Sequence, residues 1–580
     1  MPLGVTTTKN YWNFSVAVPK GETCRLLLYR AGEMRPCISY DMEAVLGEIH
    51  AITLTELDGT DYEYNYEIDG EVKVDPYVRR LTGRCVWGKP EKQDAHEVRG
   101  ILETETYDWE NDKLPSHANS DVVAYNLHVR GFTKDPYSQV SAKGTFEGVI
   151  EKLPYLKELG INQIHCMPVY EFEERGRVPN YWGYGEAYYF APKSAYSAYG
   201  NGVISLKNMV KACHEAGIEV VLEMPFEGNV SVMEAIECLR YYRMEYHVDG
   251  FILNPCLEAS RAAFSDPALK DTKLLVHRTD FQDIMRRFLK GDEGMIEAVM
   301  YWLCHLGGEE GTFNYITSHT GFTLNDLVSY DGKHNEANGE NNQDGKEYNC
   351  TWNCGVEGPS RKKEIISLRL QQLKNAFGLL LFSQGTPLIF QGDEWGQTQK
   401  GNNNAWCQDN ELTWINWNQK KTREDLFTFV KQAIAFRKNQ EILHLEQEPK
   451  GTDYKALGYP DLSYHTNQAW FVSKEPGLRH LGMMYCKDYC KESGEFLFFA
   501  WNFHWMSHEI ALPGAPDDIS WTVVARTDET EHGGFLEEGV LVKEKSIQVP
   551  PRTLIILTGK QDETLWGSGS ILKRLQGTSF

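Results

Sequence analysis

The sequence predicts an α/β protein: a (β/α)8 barrel flanked by an N-terminal and a C-terminal β-sandwich. Three observations carry this. Residues 122–455 alternate short, fully apolar strands with amphipathic helices, the pattern of a parallel sheet buried on both faces. The stretches on either side read as strands between turns. The chain has 580 residues. At roughly 150 residues per domain, with a barrel alone taking about 250, that leaves room for three units. The divisions fall at 1–105, 106–455 and 456–580, the last including a short tail from Gln561 to Phe580 without a strand pattern.

In the first unit, Cys24–Tyr29 and Tyr62–Ile68 alternate or run apolar over strand lengths, and Asp69-Gly70 is a turn signal. A polar stretch holding Pro115, residues 111–120, reads as a linker. The barrel begins with a strand at Val122–Leu127 and a helix from about Thr145 carrying Val149, Leu153, Leu156 and Leu159. A strand at Ile161–Met167 follows, then a helix from Ser205 with Leu206, Met209, Val210 and Cys213 on one face. Gly217 stops that helix, and Ile218–Glu223 is the next strand. Val248–Leu253, Lys273–Val276, Phe313–Ser318 and Pro387–Phe390 continue the series. Strands return at Glu495–Trp501, Trp521–Ala525 and Thr553–Leu557.

Composition narrows the function. Lys and Arg total 59 against 82 Asp and Glu, a net charge of −23. A field of that sign repels phosphate backbones and anionic lipid, so neither nucleic acid nor a membrane is an expected partner, while a neutral substrate stays open. The N-terminus lacks a basic segment followed by an apolar one, and the most apolar helix-like run, Phe377–Phe382, is far short of a membrane span. Thirteen cysteines without a CxxC pair suit reduced thiols in a cytoplasm. Cys350 and Cys354, like Cys486 and Cys490, sit four apart with no His cluster beside them, so no metal site is expected there.

Four strings resemble one family. They are Asn180-Tyr-Trp-Gly-Tyr-Gly185, Tyr246-His-Val-Asp-Gly-Phe251, Ser318-His-Thr-Gly-Phe-Thr-Leu324 and the long irregular run from Gln391 to Glu411. Together they look like glycoside hydrolase family 13, the α-amylase superfamily, in its isoamylase, pullulanase and glycogen-debranching branch. The opening unit, with Asp75-Pro-Tyr-Val78, is similar to that branch's glucan-associated, CBM48-like sandwich. The loop from Ser329 through Asn342 also resembles debranching members. The likeness covers nearly the whole chain. It implies an α-glucan ligand such as glycogen or starch, no cofactor, and a retaining mechanism. An Asp nucleophile ends strand 4, a Glu acid/base ends strand 5, and an Asp stabiliser ends strand 7. Such chemistry needs the first two carboxyls about 5 Å apart, one ionised and one protonated. No residue cluster argues for the calcium that some relatives bind.

This chain departs from the pattern at each of those positions. After Val248-Asp-Gly-Phe251 the expected Arg-Phe-Asp reads Ile252-Leu253-Asn254, and an amide is a poor nucleophile. The acid/base position after Lys273-Leu-Leu-Val276 is His277, and much of the loop expected beyond it is absent. The stabiliser after Ile316-Thr-Ser-His319 is Thr320, and a sugar-binding His on strand 3 becomes Gly228. Arg278 is expected to fill space left by the shortened loop.

Tyr184 and His319 match the family's sugar-contacting Tyr and His, while Trp182, Trp395 and Trp406 lie near the mouth strings and offer rings suited to sugars. The competing reading is that these residues pack the barrel mouth. Glu223, Glu227, Glu258, Asp280 and His277 are candidates for relocated acid/base chemistry, each more simply read as a solvated loop residue or a structural partner. Asp393 and Glu394 match a Gly-Asp-Glu string read as structural. The expectation is an α-glucan-binding, debranching-like protein without hydrolysis, with an active debranching relative as a candidate partner. The alternatives are an α-1,6-glucan hydrolase with non-standard catalytic residues, and an interaction protein that has lost sugar binding.

Overall fold

The computed structural model describes residues 2–8, 11–55, 57–89, 98–102, 106–227, 230–307, 311–473, 475–490, 494–514 and 519–561. The fold is the (β/α)8-type barrel with sheets at both ends of the chain. The N-terminal sheet runs in the order Gly4–Thr7, Tyr11–Ala17, Ile49–Thr55, Ile38–Leu46, Cys24–Arg30, Tyr62–Ile68 and Glu71–Lys73. It folds over a core of Trp12, Phe14, Leu26, Leu28, Tyr64 and Tyr66. Asp69 (φ 48°) and Gly70 (φ 83°) join Ile68 to its partner Glu71, a two-residue turn needing left-handed backbone at both positions.

The barrel strands are Ala124–Leu127, Gln163–Cys166, Glu219–Met224, Gly250–Leu253, Lys273–Val276, Gly311–Thr312 and Leu388–Phe390, paired in parallel. Polar side chains start the intervening helices, the second of them three residues earlier than the expected Ser205. Thr145 Oγ1 accepts the Gly148 N–H, Asn201 caps Gly202–Glu215, and Ser231 Oγ caps Val232–Glu245. Gly217 ends the second of these at φ 72°. Val122, Ala124, Val221, Ile252, Leu275, Phe313, Tyr315 and Leu388 fill the barrel axis.

The ring closes through one segment. Leu275 and Val276 pair with Gly311 and Thr312, and two residues on Asn314 bridges Pro387 at the last stave. The helices Asp280–Lys290 and Ile296–Cys304 stand between the fifth stave and that segment, with no strand between them among the described residues. Seven staves among the described residues therefore complete the ring. Buried Arg286 ties the contracted side together, its Nε donating to Ile316 O at 2.7 Å. Arg278 is exposed, so it does not fill the space left by the short connection.

The C-terminal sheet, in the order Leu462–His465, His480–Tyr485, Phe496–Asn502, Thr553–Gln561, Ile519–Arg526 and Phe535–Leu541, carries a covering pair, His508–Ala511 and Ser546–Val549. Met484, Phe496 and Phe498 pack against Ile510 and Val549 inside it. Its other face lies on the barrel helix Lys363–Leu381: a Cβ at Gly378 would fall 2.4 Å from Leu554. Gln561 ends a strand, and the remainder of the expected tail, 562–580, lies outside the described residues. No helix among the described residues is long and apolar enough to cross a membrane.

Candidate functional site

Side chains alternate along a strand, so every second residue of a stave faces the barrel axis. Val221, Ile252 and Leu275 form part of the axial layer. Two residues further on stand Glu223, Asn254 and His277, one step nearer the strand C-terminal ends where barrels of this class place their chemistry. The spacing brings the expected positions together, and the residue types decide what they can do.

Glu223 is the centre of this layer. It is 6% exposed, and its Oε1 accepts the Tyr184 hydroxyl at 2.7 Å. The same hydroxyl lies 2.7 Å from His319 Nε2. Since Tyr184 donates to the carboxylate, His319 Nε2 must donate to Tyr184, which leaves His319 Nδ1 unprotonated and without a partner. His277 Nε2 stands 3.8 Å from Glu223 Oε1 and has no hydrogen bond, and neither has Glu223 Oε2. Burial raises the Glu223 pKa, opposed by His277 and by the Tyr184 hydroxyl. Burial lowers His277 to about 4 against the pull of Glu223, and lowers His319 to about 4. At neutral pH both imidazoles are uncharged.

The residues at the expected catalytic positions are turned to other uses. Asn254 is exposed, and its Oδ1 accepts the Cys256 N–H at 3.0 Å, closing its own turn. His277 packs edge-on against Phe313 and Tyr315, with ring centroids 4.9 and 5.6 Å away. Thr320 is exposed, its Oγ1 lying 3.1 Å from Ser318 Oγ. Glu227, Glu258 and Asp280 are exposed and are not among the partners of Glu223. Gly228 lies outside the described residues.

The aromatic candidates divide. Trp182 stands edge-on to His319 at 5.0 Å and to Tyr184 at 5.9 Å. Trp406 joins the same cluster and its carbonyl accepts the Tyr181 N–H at 2.8 Å. Asn180 shapes this loop by donating to Tyr184 O and accepting from Gly183 N–H. Gly183, at φ 84°, has no room for a side chain, because a Cβ would fall 2.4 Å from the Phe172 ring. Trp395 is elsewhere. It is 0% exposed and packs at 5.6 Å from Tyr155 and 5.2 Å from Trp417, so its ring is not available to a sugar. The adjacent Asp393 accepts from Thr317 Oγ1 and the Leu324 N–H, and burial raises it to about 8. Glu394 accepts from Tyr125 and Tyr155. Both carboxyls hold the loop after the last stave through these bonds.

Sequence reasoning undervalued Glu223. The signal was present: it sits two residues beyond Val221 on a stave, the same inward parity as the expected catalytic positions.

Comparison with known proteins agrees with this architecture. The model of the alpha amylase catalytic domain matches residues 115–235. "Isoamylase 1, chloroplastic" of Arabidopsis thaliana is 31% identical, covering 68% of this chain and 68% of its own. "Glycogen operon protein GlgX homolog" of Haemophilus influenzae is also 31% identical, covering 67% of this chain and 76% of its own. Among solved structures, the catalytic module of the glycogen-degrading pneumococcal virulence factor SpuA superposes with a TM-score of 0.76 at 18% identity, over 97% of this chain and 98% of that one.

Proposed function

Because the chain belongs to the α-amylase family, in its isoamylase-type debranching branch, we propose that it binds α-glucan chains at the barrel mouth without hydrolysing them. The observation that carries this is that, among the described residues, Glu223 is the one carboxylate of the mouth cluster. A retaining mechanism needs an ionised nucleophile and a protonated acid about 5 Å apart. Here the nucleophile position is an exposed amide bonded to its own turn, and the acid position is a neutral imidazole packed on Phe313. Electrostatic stabilisation of an oxocarbenium-like transition state is worth several kcal/mol per well-placed group, and Thr320 supplies none.

The binding half of the reading rests on Tyr184, His319, Trp182 and Trp406. They cluster around three polar atoms that have no partner: Glu223 Oε2, His277 Nε2 and His319 Nδ1. Buried polar atoms left unpaired are costly, and sugar hydroxyls, which both donate and accept, suit a carboxyl oxygen and imidazole nitrogens. Trp395 plays no part. A non-hydrolytic glucan binder could in turn carry an active debranching relative to its substrate.

The test pairs two measurements on the purified protein. Pullulan, glycogen and amylopectin should release no reducing ends above a buffer control, while maltohexaose should bind and lose affinity in Tyr184→Phe. Turnover abolished by Glu223→Gln would instead assign hydrolysis to a relocated acid. Absence of binding to any of the glucans would leave an interaction protein.

A further inference from the structure

The mouth loops are held in part by residues that precede the barrel. Past Glu71–Lys73 the chain leaves the N-terminal sheet, and residues 74–89 form a strap against an outer hairpin of the barrel, the pair Tyr170–Phe172 and Ala187–Pro192. Tyr77 packs on Phe190 at 4.8 Å, and Val78 and Leu81 cluster with Ala191. The connection between the two hairpin strands holds Asn180–Gly185, with Trp182 and Tyr184. Arg84 Nη1 donates to Glu173 Oε2 at 2.5 Å, and the Gly88 N–H to Glu174 Oε1 at 3.0 Å. Glu174 is buried, its Oε2 accepts from Lys193 Nζ at 2.9 Å, and its carbonyl accepts the Asn180 N–H at 3.0 Å. Asn180 in turn holds Tyr184 O and the Gly183 N–H. Gly88 is joined to Tyr184 through Glu174 and Asn180, and a buried carboxylate bonded at both oxygens leaves that chain little freedom.

Between those two anchors Trp87 reaches into the barrel. Its ring stacks on Tyr196, with centroids 5.7 Å apart and planes 10° apart, and stands edge-on to Phe172 at 5.9 Å and to Tyr181 at 6.4 Å. The Arg130 guanidinium lies 4.8 Å from the ring centre. Asp409 holds that guanidinium in a fork at 2.8 and 2.9 Å, three residues beyond Trp406. Trp87 therefore touches both arms of the mouth: Tyr181, next to Trp182, and Arg130, tied to the loop of Trp406. The arms also meet directly, since Trp406 O accepts the Tyr181 and Trp182 N–H groups at 2.8 and 3.3 Å. Edge-on aromatic pairs and a guanidinium on an indole are directional contacts, so this ring fixes angles as well as filling space. Trp87 packs in the same cluster as Trp182, Tyr184 and Trp406, yet it comes from outside the barrel.

We propose that Trp87 is a positioning residue for the mouth: wedged between the loop of Trp182 and Tyr184 and the loop of Trp406, it sets the separation at which their rings take a glucan chain. It acts through those rings and not on the sugar. The inference rests on the glucan reading of the mouth and adds that the strap, from the N-terminal side of the chain, tunes the affinity.

Titration calorimetry with maltohexaose and amide hydrogen exchange, both on the full chain, test the proposal. Trp87→Ala should weaken maltohexaose by about tenfold. It should speed exchange of the Tyr181 and Gly183 amides by about tenfold or more while the stave amides of Val221 and Leu222 exchange as in the wild type. Trp87→Phe, which keeps a ring against Tyr196, should recover most of both losses. Arg84→Gln, which frees one anchor of the strap, should move both readouts the same way by about threefold, and it carries the test if Trp87→Ala does not fold. A merely structural role would speed exchange across the whole barrel and leave the affinity of the folded protein unchanged. Either of those results overturns the proposal. If the wild type binds no maltohexaose, the mouth reading has failed by itself, and exchange still decides the role of Trp87: a rise confined to Tyr181 and Gly183 keeps it as the residue that positions this loop, and no rise removes it.

Discussion

Two polar regions of this barrel differ in whether their groups find partners. One is the seam between loops 333–349 and 399–410. Asn335 donates to Asp344 O and Asn403 Oδ1 and accepts the Asn403 N–H; Asn338 donates to Asp344 Oδ2 and Asn404 O and accepts from Asn402 and Gln408. The other is the mouth layer, where Glu223 Oε2, His277 Nε2 and His319 Nδ1 have none. The seam holds loops together whatever the protein catalyses. The mouth positions were assigned only through chemistry, and Asn254 and Thr320, both exposed, are bonded within their own turns. A residue bonded on all sides has a reason to be itself that is independent of turnover.

The largest expected effect breaks the seam. Asn335→Ala leaves Asn403 Oδ1 and the Asn403 N–H without this partner and takes one of two donors from Asp344 O, at about 1 kcal/mol or more each, so urea denaturation should show a loss of about 3 kcal/mol. A loss below about 1 kcal/mol would mean that water replaces the amide, and the contrast with the mouth would fail.

A slightly smaller effect appears on acidification. His319 falls from the ordinary 6.5 to about 4 through burial. The unfolded chain therefore takes up a proton first as pH drops, so this group's contribution to stability declines between about 6.5 and 4 and levels off below. At pH 5 the difference is about 2 kcal/mol, because the unfolded imidazole is then largely protonated and the folded one is not. Glu223, with a raised pKa, acts in the opposite sense and moderates the net slope. His319→Gln should accordingly lose about 2 kcal/mol less than the wild type between pH 7 and 5, measured by urea midpoints. Equal slopes would show that His319 is more solvated than its 4% exposure indicates.

Tyr184→Phe comes next, at about 1–2 kcal/mol, since it strips Glu223 Oε1 and His319 Nε2 of their shared hydroxyl. A thermal midpoint unchanged in this variant would mean that the two groups bond each other through water instead.

These sites show how far the amino-acid sequence reaches. Period and caps were readable at Thr145, Gly217 and Tyr62–Ile68 because they depend on a few neighbouring residues. Asn254, His277 and Thr320 are assigned to the family's catalytic positions by the strings on either side of them, an alignment that rests on the sequence. Trp395 misled because proximity in sequence to a mouth loop does not say which way a ring turns, and this one turns toward Tyr155 and Trp417. The short connection after His277 was visible as missing length, but its result was not. Whether Arg278 fills a gap or Asn314 swings across to bridge Pro387 depends on pairings between residues some 70 apart in sequence.

The smallest expected effect is the sharpest. Asn254→Asp restores the family's residue at the nucleophile position. The site is exposed, so the carboxylate stays hydrated, and it still accepts the Cys256 N–H, so stability should move by no more than about 0.5 kcal/mol. Hydrolysis of pullulan and amylopectin should remain at the buffer level as well. A nucleophile without a proton donor leaves the glycosidic oxygen a poor leaving group, and His277, with a pKa near 4, carries no transferable charge-stabilised proton at pH 7. Residues that act as a unit in catalysis do not restore activity in proportion to their number. Reducing ends released by Asn254→Asp alone would show that a working acid is already present. Glu223 is the group to test for it, because its raised pKa and its unpartnered Oε2 are what a relocated donor would need. If Glu223→Gln then silenced that activity, the mouth would differ from an active barrel by one amide.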